Sequence, residues 1–345
     1  MVGRSFPSST TTPGSVGTTT GCSILDCGYT KDPSTSGWIS LTLASFWIRL
    51  PTAGGASLCG GDVFQSSDRA IAAPPWSTLR DLEYASFLVE RDEEDEELDQ
   101  WLAMLIAPGS SLGGARPKAS VVDEKGDLWI AKFPGKDDDR DVGSWELIVA
   151  ELARDAGIEM SECRRDSFSK RGYTFLTKRF DRVGTGRLHF ASAMTLLGRK
   201  DGDDAGAGAS YLELAEFIIR FGARPEADLR QLWRRIAFSI AVSNTDDHLR
   251  NHGFLLEEKG WRLSPAYDIN PSPDSTGLSL AVDEHDNSLD FGLALSVAKY
   301  FRLKVQEAQA IIDSVRSAVA TWRERARRMG IASSEIDRMA RAFNA

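Results

Sequence analysis

The chain has 345 residues, a formal net charge of -9, and 42% hydrophobic and 26% charged residues. Those proportions belong to a globular chain rather than a disordered one, and the acidic excess argues against a broad nucleic-acid-binding surface. No run of about eighteen apolar residues is present, so no membrane span is expected. The four cysteines, Cys22, Cys27, Cys59 and Cys163, are too few and too scattered for a disulfide scaffold, which points to reduced thiols and a cytoplasmic location.

Taken in chain order, residues 1–60 are rich in Ser, Thr, Gly and Pro and read as a flexible N-terminal segment with one apolar island, Gly37 to Leu50. Residues 61–182 are expected to form an N-terminal lobe. Within it, residues 76–106 carry apolar positions at helical spacing around the acidic block Asp92 to Asp99, most simply a solvated helix face. From Ala119 the period becomes that of strands. "ASVVDEKGDLWIAKF" predicts a hairpin turning at "EKGD", Trp145 to Gly157 predicts a helix with a glycine cap, and Tyr173 to Phe180 predicts a strand. Residues 183–345 are expected to form a mainly helical C-terminal lobe. Its predicted helices are Tyr211 to Gly222, Asp228 to Asn244, Ser288 to Arg302 and Val305 to Gly330, interrupted by a second hairpin turning at "EEKG". The basic run Arg323 to Gly330 reads as a solvated helix face.

The chemistry concentrates in "SNTDDHLRNHGFLL", Ser243 to Leu256. Phosphoryl transfer from ATP needs a glycine-rich loop over the phosphates, a strand lysine to neutralise them, a helix acid to hold that lysine, and a base with metal ligands from a second lobe. Candidates occur in that order. Gly109 to Lys118 would be the loop, its glycines letting backbone N–H groups approach phosphate oxygens and Arg116 or Lys118 adding charge. Lys132 would be the strand lysine, with Glu146 as its partner and Glu151 as the competitor. Asp246 and Asn251 have the spacing that protein kinases use between catalytic base and metal-binding asparagine, and Asp268 follows after the hairpin. Asn251 and Asp268 offer the hard oxygen donors that Mg²⁺ prefers. His248 either stabilises the loop or faces the nucleotide. A transition-metal site on Asp247 and His248, a helix cap without chemistry, and Ser-His-Asp hydrolysis are the weaker readings of the same residues.

"SNTDDHLRNHGFLL", "GWRLSPAYDINPSP", "FLTKRFDR", "GGARPKA" and "WIAKFP" together resemble the HipA-type serine/threonine kinases, toxins of bacterial toxin–antitoxin modules, over about Gly109 to Arg328. The resemblance implies an α+β, bilobal protein-kinase-like fold, with a small mixed N-terminal lobe and a larger, mainly helical C-terminal lobe. It also implies ATP and Mg²⁺ as cofactors and a serine or threonine of a protein as acceptor, an aminoacyl-tRNA synthetase in some members. By the same resemblance Asp246 is the catalytic aspartate, and Asn251 and Asp268 are the metal ligands. Gly113, Gly114, Ala115, Arg116, Pro117 and Lys118 hold phosphate, while Lys132 serves the nucleotide. Lys178, Arg179 and Phe180 form the hinge that receives adenine, and His248 with Tyr267, Asp268, Ile269 and Asn270 completes the nucleotide site. Ser111, or else Ser110, stands where family members phosphorylate themselves, and a DNA-binding antitoxin of the HipB type is the implied partner. The sequence departs from some members at Asp247, where they carry glycine. Two other classes fit the same motifs: an inactive nucleotide-binding interaction module, and a small-molecule kinase of the aminoglycoside or sugar type.

Overall fold

The structure is a computed structural model that describes residues 73–91, 116–183, 186–274 and 276–344. The N-terminal segment 1–60, the acidic block at 92–99, Ser110, Ser111, Gly113, Gly114 and Ala115 lie outside the described residues.

Helix α1 (Leu79–Arg91) precedes a hairpin of β1 (Lys118–Val122) and β2 (Leu128–Lys132). Asp123 builds the turn: its Oδ1 accepts from the N–H groups of Lys125 and Asp127, and its Oδ2 accepts from Trp129 Nε1, each at 2.9 Å. Helix α2 (Val142–Asp155) starts on Asp141, whose Oδ1 accepts from Ser144 N–H, and stops where Gly157 turns left-handed at φ 81°. Strands β3 (Cys163–Ser169) and β4 (Gly172–Lys178) complete an antiparallel sheet in the order β1-β2-β4-β3.

Strand β3 is absent from the sequence expectation of hairpin, helix, strand. Its seven residues, "CRRDSFS", show no apolar alternation because it is an edge strand stabilised by rings above it. The Arg164 guanidinium lies 3.8 Å from the Trp76 ring centroid and 4.5 Å from that of Trp129, and Arg165 lies 3.8 Å from that of Tyr173.

Beyond a two-stranded turn of β5 (Arg182–Val183) and β6 (Gly186–Arg187), strand β7 (Phe190–Ser192) leads into helix α3 (Ala193–Leu196). Helix α4 (Tyr211–Phe221) begins with a reciprocal capping box between Ser210 and Glu213. Helix α5 (Pro225–Ala241) begins with proline in its first turn beside Glu226 and Asp228. Strands β8 (Gly253–Glu257) and β9 (Gly260–Leu263) form the expected second hairpin, and β7 joins them as a third strand. Helices α6 (Phe291–Val297), α7 (Val305–Val319), α8 (Trp322–Arg328) and α9 (Ser333–Met339) follow. The single helix expected from Val305 to Gly330 is thus two, interrupted at Ala320 and Thr321 so that Trp322 turns inward against Trp145 and Phe343.

Two hydrophobic cores result. The smaller packs Leu79 and Leu82 of α1 on the sheet residues Ala119, Val121, Trp129, Ala131 and Leu176. The larger is organised around the buried helix α5, and it also takes in Trp145, Ile148, Val149 and Leu152 of α2. Helix α2 therefore links the sheet to the larger core: it packs on β4 so closely that Gly143 has no room for a side chain, and it buries its apolar side chains among the C-terminal helices.

Candidate active site

Lys132 ends β2, with its Cα opposite that of Lys118. Its ammonium meets Glu146 Oε1 of α2 at 2.5 Å and Asp268 Oδ1, which follows β9, at 2.6 Å. Of the two acids proposed as its helix partner, Glu146 holds the lysine, while Glu151 pairs with Arg325 and Arg328 of α8. Burial pulls this lysine down, but Asp268 and Glu146 outweigh it and hold its ammonium above the usual lysine range. Burial pushes Glu146 up against the pull of Lys132. Burial would raise Asp268 too, yet Lys132 and Lys118 keep its carboxyl well below the usual carboxylate range. Lys118 is itself lowered, by burial and by Lys132.

Asp268 sits at φ 56°, a left-handed conformation that aspartate tolerates better than most residues but that still costs roughly 1 kcal/mol. Its neighbour Asn270 pins it there, donating from Nδ2 to Asp268 Oδ1 at 3.0 Å and from its backbone N–H to Asn244 Oδ1 at 3.1 Å.

The loop after α5 closes on itself. Ser243 turns left-handed at φ 47°, His248 N–H donates to Asp246 O at 3.0 Å, and Asn251 N–H donates to His248 O at 2.8 Å. Asn251 Nδ2 also donates to Asp246 O at 2.9 Å, which leaves its Oδ1 as the group able to face a cation. The spacing between Asp246 and Asn251 thus has a direct mechanical origin, because the amide reaches back to the carbonyl of the acid it serves. The Asp246 side chain is 82% exposed, and His248 Nε2 lies 3.9 Å from its Oδ1. Partial desolvation in the cleft and the charge of Asp268 push the Asp246 carboxyl up, against the pull of His248. Beside His248 opens a cavity of about 410 Å³ lined by Arg250, Met194, Ser279 and the loop Lys200 to Asp204.

The remaining sequence candidates are placed as follows. The Arg116 guanidinium donates to Phe133 O at 2.9 Å and to Asp138, while Pro117 O accepts from Phe133 N–H at 2.9 Å. Lys178 reaches outward to Asp127, and Arg179 forms a buried two-pronged pair with Asp181 at 2.7 and 2.8 Å. Their backbone N–H groups donate to Glu162 O and Leu128 O, so the N–H groups and the side chains of both residues are engaged within the protein. Phe180 stands with its ring 5.7 Å from those of Phe190 and Tyr267. The Tyr267 hydroxyl donates to Arg250 O at 2.7 Å, tying the two halves of the site together, and Ile269 is buried. The structure therefore brings together Lys118, Lys132, Glu146, Asp246, His248, Asn251, Tyr267, Asp268 and Asn270, and turns the side chains of Lys178 and Arg179 elsewhere.

Sequence reasoning weighed Asp247 only as half of a transition-metal site and as a departure from some family members, and it passed over His252, Tyr211, Ser239 and Asn244, the other buried polar groups beneath the loop. The one available signal is the doubled acid at Asp246 and Asp247: successive side chains in a tight loop face different ways, so one of the two must point inward. Among the described residues no cluster of three or more His, Cys, Asp or Glu offers a metal cage, and His252, four residues after His248, faces Asp247 instead.

A sheet lobe bearing a lysine–glutamate pair, set over a helical lobe bearing an Asp-x₄-Asn loop and a following aspartate, is a bilobal protein-kinase-like fold. The model of the HipA-like C-terminal domain matches residues 110–322, more than half of the chain, and the protein belongs to that family. The chain is 26% identical over 182 residues to Y4mE of Sinorhizobium fredii, provisionally designated a kinase, covering 46% of this chain and 41% of that one. It is 27% identical over 220 residues to a provisionally designated kinase of Haemophilus influenzae, covering 56% and 64%. The chain thus spans less than two thirds of the length of either relative. Among solved structures it resembles HipA of Shewanella oneidensis, in a complex with HipB and operator DNA, with a TM-score of 0.54 and 17% identity over 67% of this chain and 62% of that one. No helix among the described residues is long and apolar enough to cross a membrane.

Proposed function

We propose that the protein is an ATP- and Mg²⁺-dependent serine/threonine protein kinase of the HipA type, acting in the cytoplasm on a protein hydroxyl and on its own Ser111 or Ser110. The observation that carries this reading is the charge arrangement around Lys132: an ammonium held charged in a buried position by Glu146 and Asp268, with Asp268 near enough to act on Asp246 of the loop that Asn251 closes.

The donor set suits the cofactors. Asp268 and the Oδ1 of Asn251 supply carboxylate and amide oxygens, which Mg²⁺ prefers to nitrogen or sulfur, and Lys132 and Lys118 supply positive charge for phosphates. Bound MgATP would supply the transferable phosphoryl group, with the metal offsetting part of its charge. Lys132, oriented by Glu146, holds that charge in place. Asp246, open to the cleft, accepts or orients the proton of the incoming hydroxyl. The 410 Å³ cavity beside His248, two residues along the loop from Asp246, is the space proposed for an acceptor segment. A HipB-like antitoxin is the partner proposed, on the likeness to HipA in its complex.

The test is incubation with Mg²⁺ and γ-labelled ATP, with incorporated phosphate located by peptide mass spectrometry. The Asp246→Asn variant should still bind ATP and lose turnover by about 10²–10⁴-fold. Undiminished phosphate transfer by that variant would remove Asp246 from the chemistry.

A further inference from the structure

We infer that Asp247 is the positioning residue of the reaction centre: a buried carboxylate that never meets substrate and sets where Asp246, Asn251 and Asp268 stand. The inference rests on the kinase reading above and deepens it.

Asp247 is 5% exposed, unlike its neighbour in sequence. Its Oδ2 accepts from the Tyr211 hydroxyl of α4 at 2.6 Å and from the Ser239 hydroxyl of α5 at 3.2 Å, and its Oδ1 lies 3.1 Å from His252 Nε2. All three partners are buried, and the Tyr211 and His252 rings meet edge-on with centroids 5.8 Å apart. A carboxylate in such a place would be costly unless fully partnered. Burial pushes Asp247 up, but His252 and the two hydroxyls bring it below the usual carboxylate range, so it stays ionised.

The positions of these partners define the role. Asp247 follows Asp246 directly, so fixing one carboxylate inward aims the other outward. His252 follows Asn251 directly, so its contact with Asp247 sets the far end of the same loop. Ser239 extends the chain to Asp268: Asn244 Nδ2 donates to Ser239 Oγ at 3.3 Å, Asn270 N–H donates to Asn244 Oδ1 at 3.1 Å, and Asn270 Nδ2 donates to Asp268 Oδ1 at 3.0 Å. One carboxylate is thereby within one residue, or within a short run of hydrogen bonds, of all three groups assigned to the chemistry. Between Arg235, Ser239, Asn244, Asp247 and His252 there remains a void of about 10 Å³, the size of one water. Ala266, Tyr267 and Ile269 complete the lining, so the floor under the loop is mixed, and its polar members are linked through hydrogen bonds along which a tilt of Asp247 would be transmitted.

The experiment compares Asp247→Asn, Tyr211→Phe and Ser239→Ala with the wild type and Asp246→Asn, measuring kcat, KM for ATP, ATP binding and thermal unfolding. Asp247→Asn should lower kcat by about 10–100-fold while leaving ATP binding within about threefold, and Tyr211→Phe, which keeps the ring, should lower kcat in the same direction. The double variant Asp247→Asn/Tyr211→Phe should lose less than the product of the two single effects. A readout independent of turnover is amide hydrogen exchange, where Tyr211→Phe should quicken exchange at residues 246–252 and leave the sheet β1–β4 unchanged. Asp247→Asn with wild-type kcat and unaltered exchange in the loop overturns the inference, as does a loss confined to thermal stability. If Asp246→Asn is also fully active, the kinase reading has failed; if it is inactive while Asp247→Asn is normal, only the positioning role has.

Discussion

Asp228 shows how one buried carboxylate ties a pH response to a particular contact. It lies in the first turn of α5, buried, with its Oδ2 accepting from Leu263 N–H at 3.0 Å. Burial raises its pKa to about 6, against the pull of that hydrogen bond and of Arg262 and Arg235, with Glu159 adding to the rise. The unfolded chain ionises this group near its usual 3.8 and the folded chain at about 6, so folding takes up a proton between those values. Its ionised form therefore costs stability above pH 6, and that cost disappears as the pH falls toward 4. Asp228→Asn keeps an oxygen acceptor for Leu263 and removes the charge. It should raise stability by about 1–2 kcal/mol at pH 8, after allowance for the helix N-terminus that favours an anion, and the gain should vanish near pH 4. Denaturant unfolding across pH 4–8 measures both; a gain constant with pH would place the effect elsewhere than in the charge.

Helix α2 is where local sequence and tertiary demand meet most tightly. A Cβ on Gly143 would stand 2.0 Å from Tyr173 O and 2.9 Å from its carbonyl carbon, both backbone atoms of β4 that cannot swing aside. Gly143→Ala, which helix propensity alone would favour by about 1 kcal/mol, should instead destabilise by about 3 kcal/mol, since helix and strand must part to admit a methyl group. Equilibrium unfolding decides the sign. The same distinction explains what could be read in advance. The hairpins were legible because Asp123, Gly126 and the "EEKG" turn act locally, and the paired motifs of Lys132, Asp246, Asn251 and Asp268 were legible because their spacing is a local chemical requirement. Strand β3 was not, because its stability comes from Arg164 and Arg165 lying on aromatic rings contributed by other segments. The break between α7 and α8 was not, because no glycine or proline marks it; Trp322 turns inward to reach Trp145, a partner far away in sequence. The floor under the loop was hidden for the same reason, Tyr211 and Ser239 being ordinary helix residues until the fold sets Asp247 against them.

Across the whole molecule the C-terminal residues close around the start of α2. Trp322 and Phe343 stack at 4.2 Å between nearly parallel rings, both within about 6 Å of Trp145, and Glu335 Oε1 accepts from Trp145 Nε1 at 2.7 Å and from Asp141 N–H at 3.0 Å. Since α2 carries Glu146, support for that helix is also support for Lys132. Phe343→Ala should therefore cost about 2–3 kcal/mol in unfolding and, on the proposed reading, weaken ATP binding as well, although the residue lies outside the proposed nucleotide site. Titration calorimetry of the variant, set beside its unfolding curve, tests the link; unchanged ATP affinity would confine the C-terminal closure to stability. The Lys132 triad has a further consequence for that affinity. The ammonium is held by two anions, Glu146 and Asp268; on the proposed kinase reading, an incoming phosphate would take the place of Asp268 on the lysine, and Asp268 would turn to the Mg²⁺ proposed beside it. Nucleotide without its metal would leave Asp268 with Asn270 alone to meet its charge, so that reading predicts that nucleotide and metal bind more tightly together than either does by itself.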